Sequence, residues 1–386
     1  MKIADRRRVA VALAGAGAFL NLYSPQAVLP LLTREFGATE AGIALVMFAS
    51  TFAIAFTAPF TGVIADVLGR KRVITAAMIA LVIPTAMTAL APNLEAMIFW
   101  RFVQGLVLPP IFAVTIAYIG GEMPADEATG MTGIYTAGSA LGGFAGRFLT
   151  GVLAESIGWR NAFLVDAALT ALLAVAVIVL LPRERQFVRA ANLKASLTQM
   201  IGHLRNPKLV ATYAVGFGVL FNFIATFTFV SFHLAAPPFN LSPAALGMIF
   251  TVYLLGTIVS PMVGKGVSRF GRRRFVIVVI AAWMCGVLLT LIPWLPAVIA
   301  GLAVAAAAGM LCQASSQSYV ATSSRTGISS AIGLYVTAFY VGGSVGALLP
   351  GLIWDAAKWP GTVAMVVTMQ TIMMLTVWLA WSKDRR

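Results

Sequence analysis

The sequence predicts an all-α polytopic membrane protein, with twelve transmembrane helices as two pseudo-symmetric six-helix bundles. Three observations carry this: an apolar composition, long apolar runs at span spacing, and a repeat of about half the chain. Hydrophobic residues make up 60% of the 386 and charged residues only 10%. Soluble domains hold about 45–50% and about 25% respectively. So greasy a chain cannot bury its apolar surface in one aqueous core. The runs are unbroken, whereas barrel strands alternate polar and apolar over about ten residues.

A span needs about 20 apolar residues, and runs of that kind lie near 9–33, 41–65, 73–91, 96–119, 129–154 and 161–181. Six more follow near 209–235, 244–264, 275–293, 297–319, 329–354 and 360–381. The basic start, then apolar residues from Val9, has the outline of a signal peptide, but the run continues past Asn21 without a small-residue cleavage site. A retained first span is expected. The domains expected are 1–182, a polar linker 183–208 and 209–386.

The net charge of +14 sits in short clusters between the runs, such as Arg6–Arg8, Arg70–Arg72 and Arg272–Arg274. All but five of the 27 Lys and Arg fall on the side holding both termini. Arg34, Arg160 and Lys358 lie on the other side, and Arg101 and Arg147 lie inside spans. The positive-inside rule then makes the termini cytoplasmic, with the basic loops against anionic lipid headgroups and not nucleic acid. Cys285 and Cys312 both fall in apolar runs, so neither a disulfide nor a metal site is expected. No Ser–His pair, phosphate loop or appended soluble domain points to an enzyme, and no cofactor is implied.

At an offset of 200, Gly133, Tyr135, Gly142, Gly143, Gly146, Gly151 and Trp159 recur as Gly333, Tyr335, Gly342, Gly343, Gly346, Gly351 and Trp359. The loop from Gly62 to Arg72 recurs as Gly264 to Arg274. Parallel repeats of this kind suggest a site at their interface, exposed to each side in turn. Gly138, Gly142 and Gly146 share one helix face, which suits close helix contact or gating.

The run Gly62-Val-Ile-Ala-Asp66-Val-Leu-Gly69-Arg70-Lys71-Arg72 resembles the signature loop of the major facilitator superfamily. The resemblance implies that Asp66 meets the N-terminal end of the eleventh helix and locks the cytoplasmic side. Arg101-Phe-Val-Gln104-Gly105 resembles the second motif of that superfamily, tied to proton coupling, and Gly138 to Gly146 its antiporter motif, with Gly143 for the usual Pro and Arg147 for the last Gly. Tyr23-Ser-Pro-Gln26, Leu29-Pro30, Glu35-Phe36-Gly37 and Gly158-Trp159-Arg160 extend the likeness to YnfM-type bacterial inner-membrane transporters of the drug:proton antiporter family. What this implies is a secondary transporter that exchanges protons for small amphipathic drugs or metabolites and works as a monomer.

Ionisable groups inside a membrane are costly and are paired or functional. Arg147 and Asp166 flank the hairpin at Gly158 at similar depth, which predicts that they pair, as a static tie or a proton-linked network. Asn21, Gln26, Arg101, Gln104, Asn222 and Gln313 are the polar candidates for the pathway, with helix-to-helix hydrogen bonding the alternative for each. Glu122 is a candidate cytoplasmic proton site or a solvated helix end. Phe221, Phe223, Phe227 and Phe229 offer an apolar wall, with at least half of them expected to face lipid. The few acids in the spans leave a sugar or organic-anion substrate, bound by Arg101 or Arg147, as the competing reading.

Overall fold

The computed structural model describes residues 3–123, 125–184, 201–323 and 328–381. The side chain of Asp66 and most of the linker lie outside the described residues, so the expected Asp66 lock does too. Eight stretches among those described are long and apolar enough to cross a bilayer, and the last, 330–380, has length for two. The chain divides into two units. Unit 1 is Met1–Ala38, Ala49–Ala191 and Ser242–Phe250, and unit 2 is Thr39–Phe48, Asn192–Leu241 and Thr251–Arg386.

The first span is not one helix. α1 (Ile3–Tyr23) gives way to a 3₁₀ turn, Ser24–Ala27, and then α2 (Leu29–Phe36). Pro25 and Pro30 cause this, because a proline offers no N–H to the carbonyl one turn earlier. α3 (Glu40–Leu68), α4 (Arg70–Ala89), α5 (Leu94–Glu122), α6 (Ala125–Ile157) and α7 (Trp159–Leu180) follow. Asn93 caps α5 by accepting the Ala96 N–H at 2.9 Å. Gly69 and Gly158 make the tight corners with φ of 93° and 85°, a region where a Cβ is disfavoured.

The second repeat opens with α8 (Pro207–Ala235), which is continuous. The eighth span, expected over 244–264, is instead broken into α9 (Pro243–Ile249), α10 (Val252–Val259), a 3₁₀ turn at Ser260–Met262 and α11 (Val263–Phe270). Pro261 and the glycines at 247, 256, 264 and 266 weaken it. α12 (Arg272–Leu289) and α13 (Leu295–Ser323) come next. α14 (Ile328–Ala380) holds the last two spans and turns sharply at Lys358, where φ is 44°.

Glycines set the helix spacing inside each unit. A Cβ at Gly142 or Gly146 of α6 would sit 2.1 and 2.3 Å from the Ala16 and Leu20 carbonyl oxygens of α1. In unit 2, a Cβ at Gly342 or Gly346 would sit 2.0 and 2.4 Å from the Phe217 and Phe221 carbonyl oxygens of α8. Only glycine permits backbones so close. These contacts also put the two copies in register: residues of α1 map to α8 at an offset of 201.

Candidate functional site

Pro25 starts the polar core of unit 1. It cannot donate to the Asn21 carbonyl, so the C-terminus of α1 keeps orphan acceptors inside an apolar bundle. Arg101 of α5 takes them: Nη1 donates to the Asn21 carbonyl at 2.8 Å and Nη2 to the Leu22 carbonyl at 2.7 Å. A cation at a helix C-terminus also suits the helix dipole. Arg101 further donates to Gln104 Oε1 at 2.6 Å and to Ser50 Oγ of α3 at 3.0 Å. Gly105 allows this approach, since a Cβ there would lie 2.3 Å from the Ser50 carbonyl.

From Arg101 a chain of hydrogen bonds crosses four helices. Gln104 Nε2 donates to Thr85 Oγ1 at 2.9 Å, and Thr85 donates to Asn21 Oδ1 at 2.7 Å. Asn21 Nδ2 donates to Thr170 Oγ1 at 2.8 Å, and Thr170 donates to the Asp166 carbonyl at 2.7 Å. The Asp166 carboxylate accepts from Thr150 Oγ1 at 2.8 Å through Oδ2, while Oδ1 has no hydrogen-bond partner. Asn21, Arg101, Gln104 and Asp166 are all fully buried.

The expected Arg147–Asp166 pair is not made. Equal depth set the height of the two side chains but not their azimuth. Arg147 turns toward α1, where Nε donates to Gln26 Oε1 and Nη1 to the Gly143 carbonyl, both at 2.7 Å. Its guanidinium lies 4.1 Å from the Tyr23 ring centroid and 4.9 Å from that of Phe250. Thr150, a residue the sequence reading passed over, holds Asp166 instead. Its spacing of i, i+3 from Arg147 on α6 was the available signal.

Among its described residues, unit 2 lacks this wiring. At the same offsets Pro25 becomes Thr226, Thr85 becomes Val287, Arg101 becomes Leu302 and Gln104 becomes Ala305. Asn21 persists as Asn222, but its amide meets only Met373 Sδ, at 3.2 Å. Asn222 Oδ1, Thr226 Oγ1 and both amide atoms of buried Gln370 have no hydrogen-bond partner. Gln313 is half-buried and gives its backbone carbonyl to Ser316.

The four phenylalanines of α8 face the interior of unit 2, against the expectation that half would meet lipid. Phe223 packs on Trp283 at 5.2 Å, Phe227 on Tyr253 at 4.5 Å and Phe229 on Trp354 at 5.4 Å. A helix surrounded on all sides reads the same as one facing lipid, because both are apolar all round.

At the basic loop, Glu184 accepts the Lys71 N–H at 3.0 Å. Arg70 lies against Gly121 of α5, where a side chain would collide with its guanidinium. Glu122 is largely buried beside this corner. At the other end of α6, Glu155 accepts the Ala244 N–H at 3.1 Å and so caps α9. Hydrogen bonds from Ser242 and then Ala244 hold its carboxyl below the usual carboxylate range.

Two six-helix copies and a glycine-bound corner followed by Arg-Lys-Arg agree with what comparison finds. The Major Facilitator Superfamily model matches residues 11–236 and 215–386. The chain belongs to the major facilitator superfamily. It is 29% identical to the inner membrane transport protein YnfM of Escherichia coli (strain K12), over 95% of this chain and 89% of that one. It is 28% identical to the MFS-type transporter YybF of Bacillus subtilis (strain 168), over 95% and 90%. Among solved structures, a point mutant of the nucleoside transporter NupG superposes with a TM-score of 0.80 at 16% identity, covering 97% of this chain and 100% of that one. The xylose transporter XylE from E. coli gives 0.77 at 13%, covering 98% of each. The chain is therefore a membrane transporter of small molecules with the major facilitator fold, and not an enzyme.

Proposed function

We propose that this transporter works by alternating access in a bacterial inner membrane, with both termini cytoplasmic, and exports small amphipathic drugs or metabolites in exchange for protons. One observation carries the reading: Asp166 is a buried carboxylate with one oxygen unbonded and the other on a neutral hydroxyl. A carboxyl so placed can gain or lose a proton without breaking an ion pair. Its backbone carbonyl is joined through Thr170 and Asn21 to the network around Arg101, so the carboxyl stands beside the groups that hold the break in α1. Gln26 and Arg147 are assigned to the substrate end of this pathway, with Asn222 and Gln313 as polar contacts from the second copy. Gly62, Asp66, Gly69 and Arg70–Arg72 are assigned to cytoplasmic gating, with Glu122 as proton acceptor on that side. Substrate and protons would be the only obligatory partners of a functional monomer, with anionic headgroups at the basic loops.

A second reading rests on Arg147. An arginine held between aromatic rings and an amide is an arrangement that also grips a carboxylate or a sugar. On that reading the substrate is an organic anion or a sugar, moved in either direction. Arg101 is a poor anion ligand in comparison, being engaged by four oxygen acceptors.

One experiment separates the two. The protein is reconstituted in liposomes holding a pH dye, and cationic drugs, sugars and organic anions are added under an imposed proton gradient. Drug-dependent collapse of the gradient, lost in Asp166→Asn and kept in Arg147→Lys, supports export coupled at Asp166. Flux of an anion or sugar without proton movement, lost in Arg147→Lys, overturns it in favour of the second reading.

A further inference from the structure

Thr150 departs from the habit of its own helix. The other described Ser and Thr side chains of α6 turn back on the chain. Thr132 donates to the Ala128 carbonyl, Thr136 to that of Thr132, Ser139 to that of Tyr135 and Ser156 to that of Val152, all at 2.9 or 3.0 Å. The carbonyl four residues back is the acceptor that a hydroxyl in a helix can always reach, and for Thr150 it belongs to Gly146. Thr150 instead donates to Asp166 Oδ2 of α7 at 2.8 Å, and both side chains are fully buried. Gly146 is where α1 rests on α6, since a Cβ there would lie 2.3 Å from the Leu20 carbonyl oxygen.

The two oxygens of Asp166 are not equivalent, and this decides where a proton settles. Oδ1 has no hydrogen-bond partner, so an O–H there would be a buried donor without an acceptor, which is costly. On Oδ2 the same O–H meets Thr150 Oγ1, which accepts as well as donates. The Thr150 hydrogen must then leave Asp166, and the Gly146 carbonyl is there to receive it. Arg101 of α5 is the charge whose field reaches Asp166. Of the other titratable groups on the surrounding helices, Arg147 is turned to α1, with Tyr23 over it, Arg160 holds the Ala89 and Ala91 carbonyls, and Glu155 caps α9. The rest on α1, α4 and α6 lie at the N-terminal ends of those helices.

We propose that Thr150 is a positioning residue of the proton step: it donates to Asp166 while the carboxyl is ionised, and to the Gly146 carbonyl once the carboxyl is protonated. This rests on Asp166 being the group that takes up the proton. One proton is gained at Oδ2, none is lost, and the Thr150 O–H turns without breaking. A back-bonded hydroxyl bends its helix slightly, so the bend falls where Leu20 meets Gly146. The second copy has given up both partners together: at an offset of 200, Thr150 becomes Pro350 and Asp166 becomes Val366. Pro350 lies inside α14 and denies the Gly346 carbonyl its N–H, which kinks a helix whatever the pH. What is fixed in one copy follows a proton in the other.

The test is infrared difference spectroscopy of the full chain in lipid, between acidic and alkaline buffer, with glycine labelled with ¹³C at its carbonyl. A carboxyl C=O band that is lost in Asp166→Asn belongs to Asp166. It is expected at the frequency of a hydrogen-bonded acid in the unaltered protein and in Thr150→Ser, and at the higher frequency of a free acid in Thr150→Val. A ¹³C-shifted glycine carbonyl feature accompanies it in the unaltered protein and in Thr150→Ser, and vanishes in Thr150→Val and Asp166→Asn. Thr150→Ala gives the same two results should the valine variant fail to fold. An Asp166 band that stays in place without the hydroxyl, or a glycine feature that persists without it, overturns the proposal and leaves the coupling reading of Asp166 standing. Absence of an Asp166 band at every pH at which the protein is folded overturns both.

Discussion

Arg101 is held by Pro25, which it never touches. The proline removes the N–H that would have met the Asn21 carbonyl, and the guanidinium supplies the replacement. The two should therefore couple in a double-mutant cycle. Arg101→Leu leaves the Leu22 carbonyl and Gln104 short of a donor and the Asn21 carbonyl with Ser24 Oγ alone, at 3.3 Å, and is expected to cost about 3 kcal/mol or more, since bonds to charged groups are worth about 1.5–3 each. In a Pro25→Thr background the cost falls by at least about 1 kcal/mol, read as melting temperature in detergent. The converse holds at Gln370, whose amide is buried without partners. Gln370→Met keeps the volume and removes unsatisfied groups, so it is expected to stabilise by about 1 kcal/mol. Thr170→Val, at the matching position of the first copy, destabilises by about 1–3 kcal/mol because it leaves the Asn21 amide with the Gly17 carbonyl alone and one hydrogen without an acceptor. Sequence reading singled out Asn21, Arg101, Gln104 and Asp166 from their burial in apolar runs. It could not supply the partners, because Thr85, Thr150 and Thr170 are ordinary residues in any helix and only the fold turns them inward.

Corners and helix ends show where the repeat is imperfect. The glycine at 158, with φ of 85°, is replaced in the second copy by Lys358, with φ of 44°. A non-glycine residue there is strained by about 1–3 kcal/mol. Lys358→Gly should accordingly raise the melting temperature, while Gly158→Lys lowers it. Glu155 gives the helix scale a pH dependence with a definite sign. Its pKa is depressed in the folded protein, so the cap on α9 is present above the ordinary carboxylate range and is lost as pH falls through the lower, folded value. The protection of the Ala244 amide against hydrogen exchange, relative to its intrinsic rate at each pH, is expected to fall on acidification, and Glu155→Gln removes that dependence. Most helices were legible from run length and loop charge. The broken first and eighth spans were not, because mean apolarity is blind to where proline interrupts the hydrogen-bond ladder.

For the whole molecule, the charge bias makes one demand. With all but five of the 27 Lys and Arg on the side of the termini, a fluorescent reporter at the C-terminus should fold and fluoresce in the cytoplasm. A periplasmic reporter enzyme active at the same position contradicts the orientation. Family and two-fold internal likeness were readable from the glycine corner and the recurrence at 200 residues. The division of labour between copies was not, because the recurring letters are those that set helix spacing, and the letters that differ are the polar ones. Viewed as descent, that difference is a record of contingency. If the copies began alike, the proline and the arginine of the first could not have come or gone in any order. A proline arriving before its arginine would have left the Asn21 carbonyl only the long Ser24 hydroxyl bond, and an arginine persisting after the proline would have shared that acceptor with a backbone N–H. Each now entrenches the other, so related chains that have lost one should be found to have lost both.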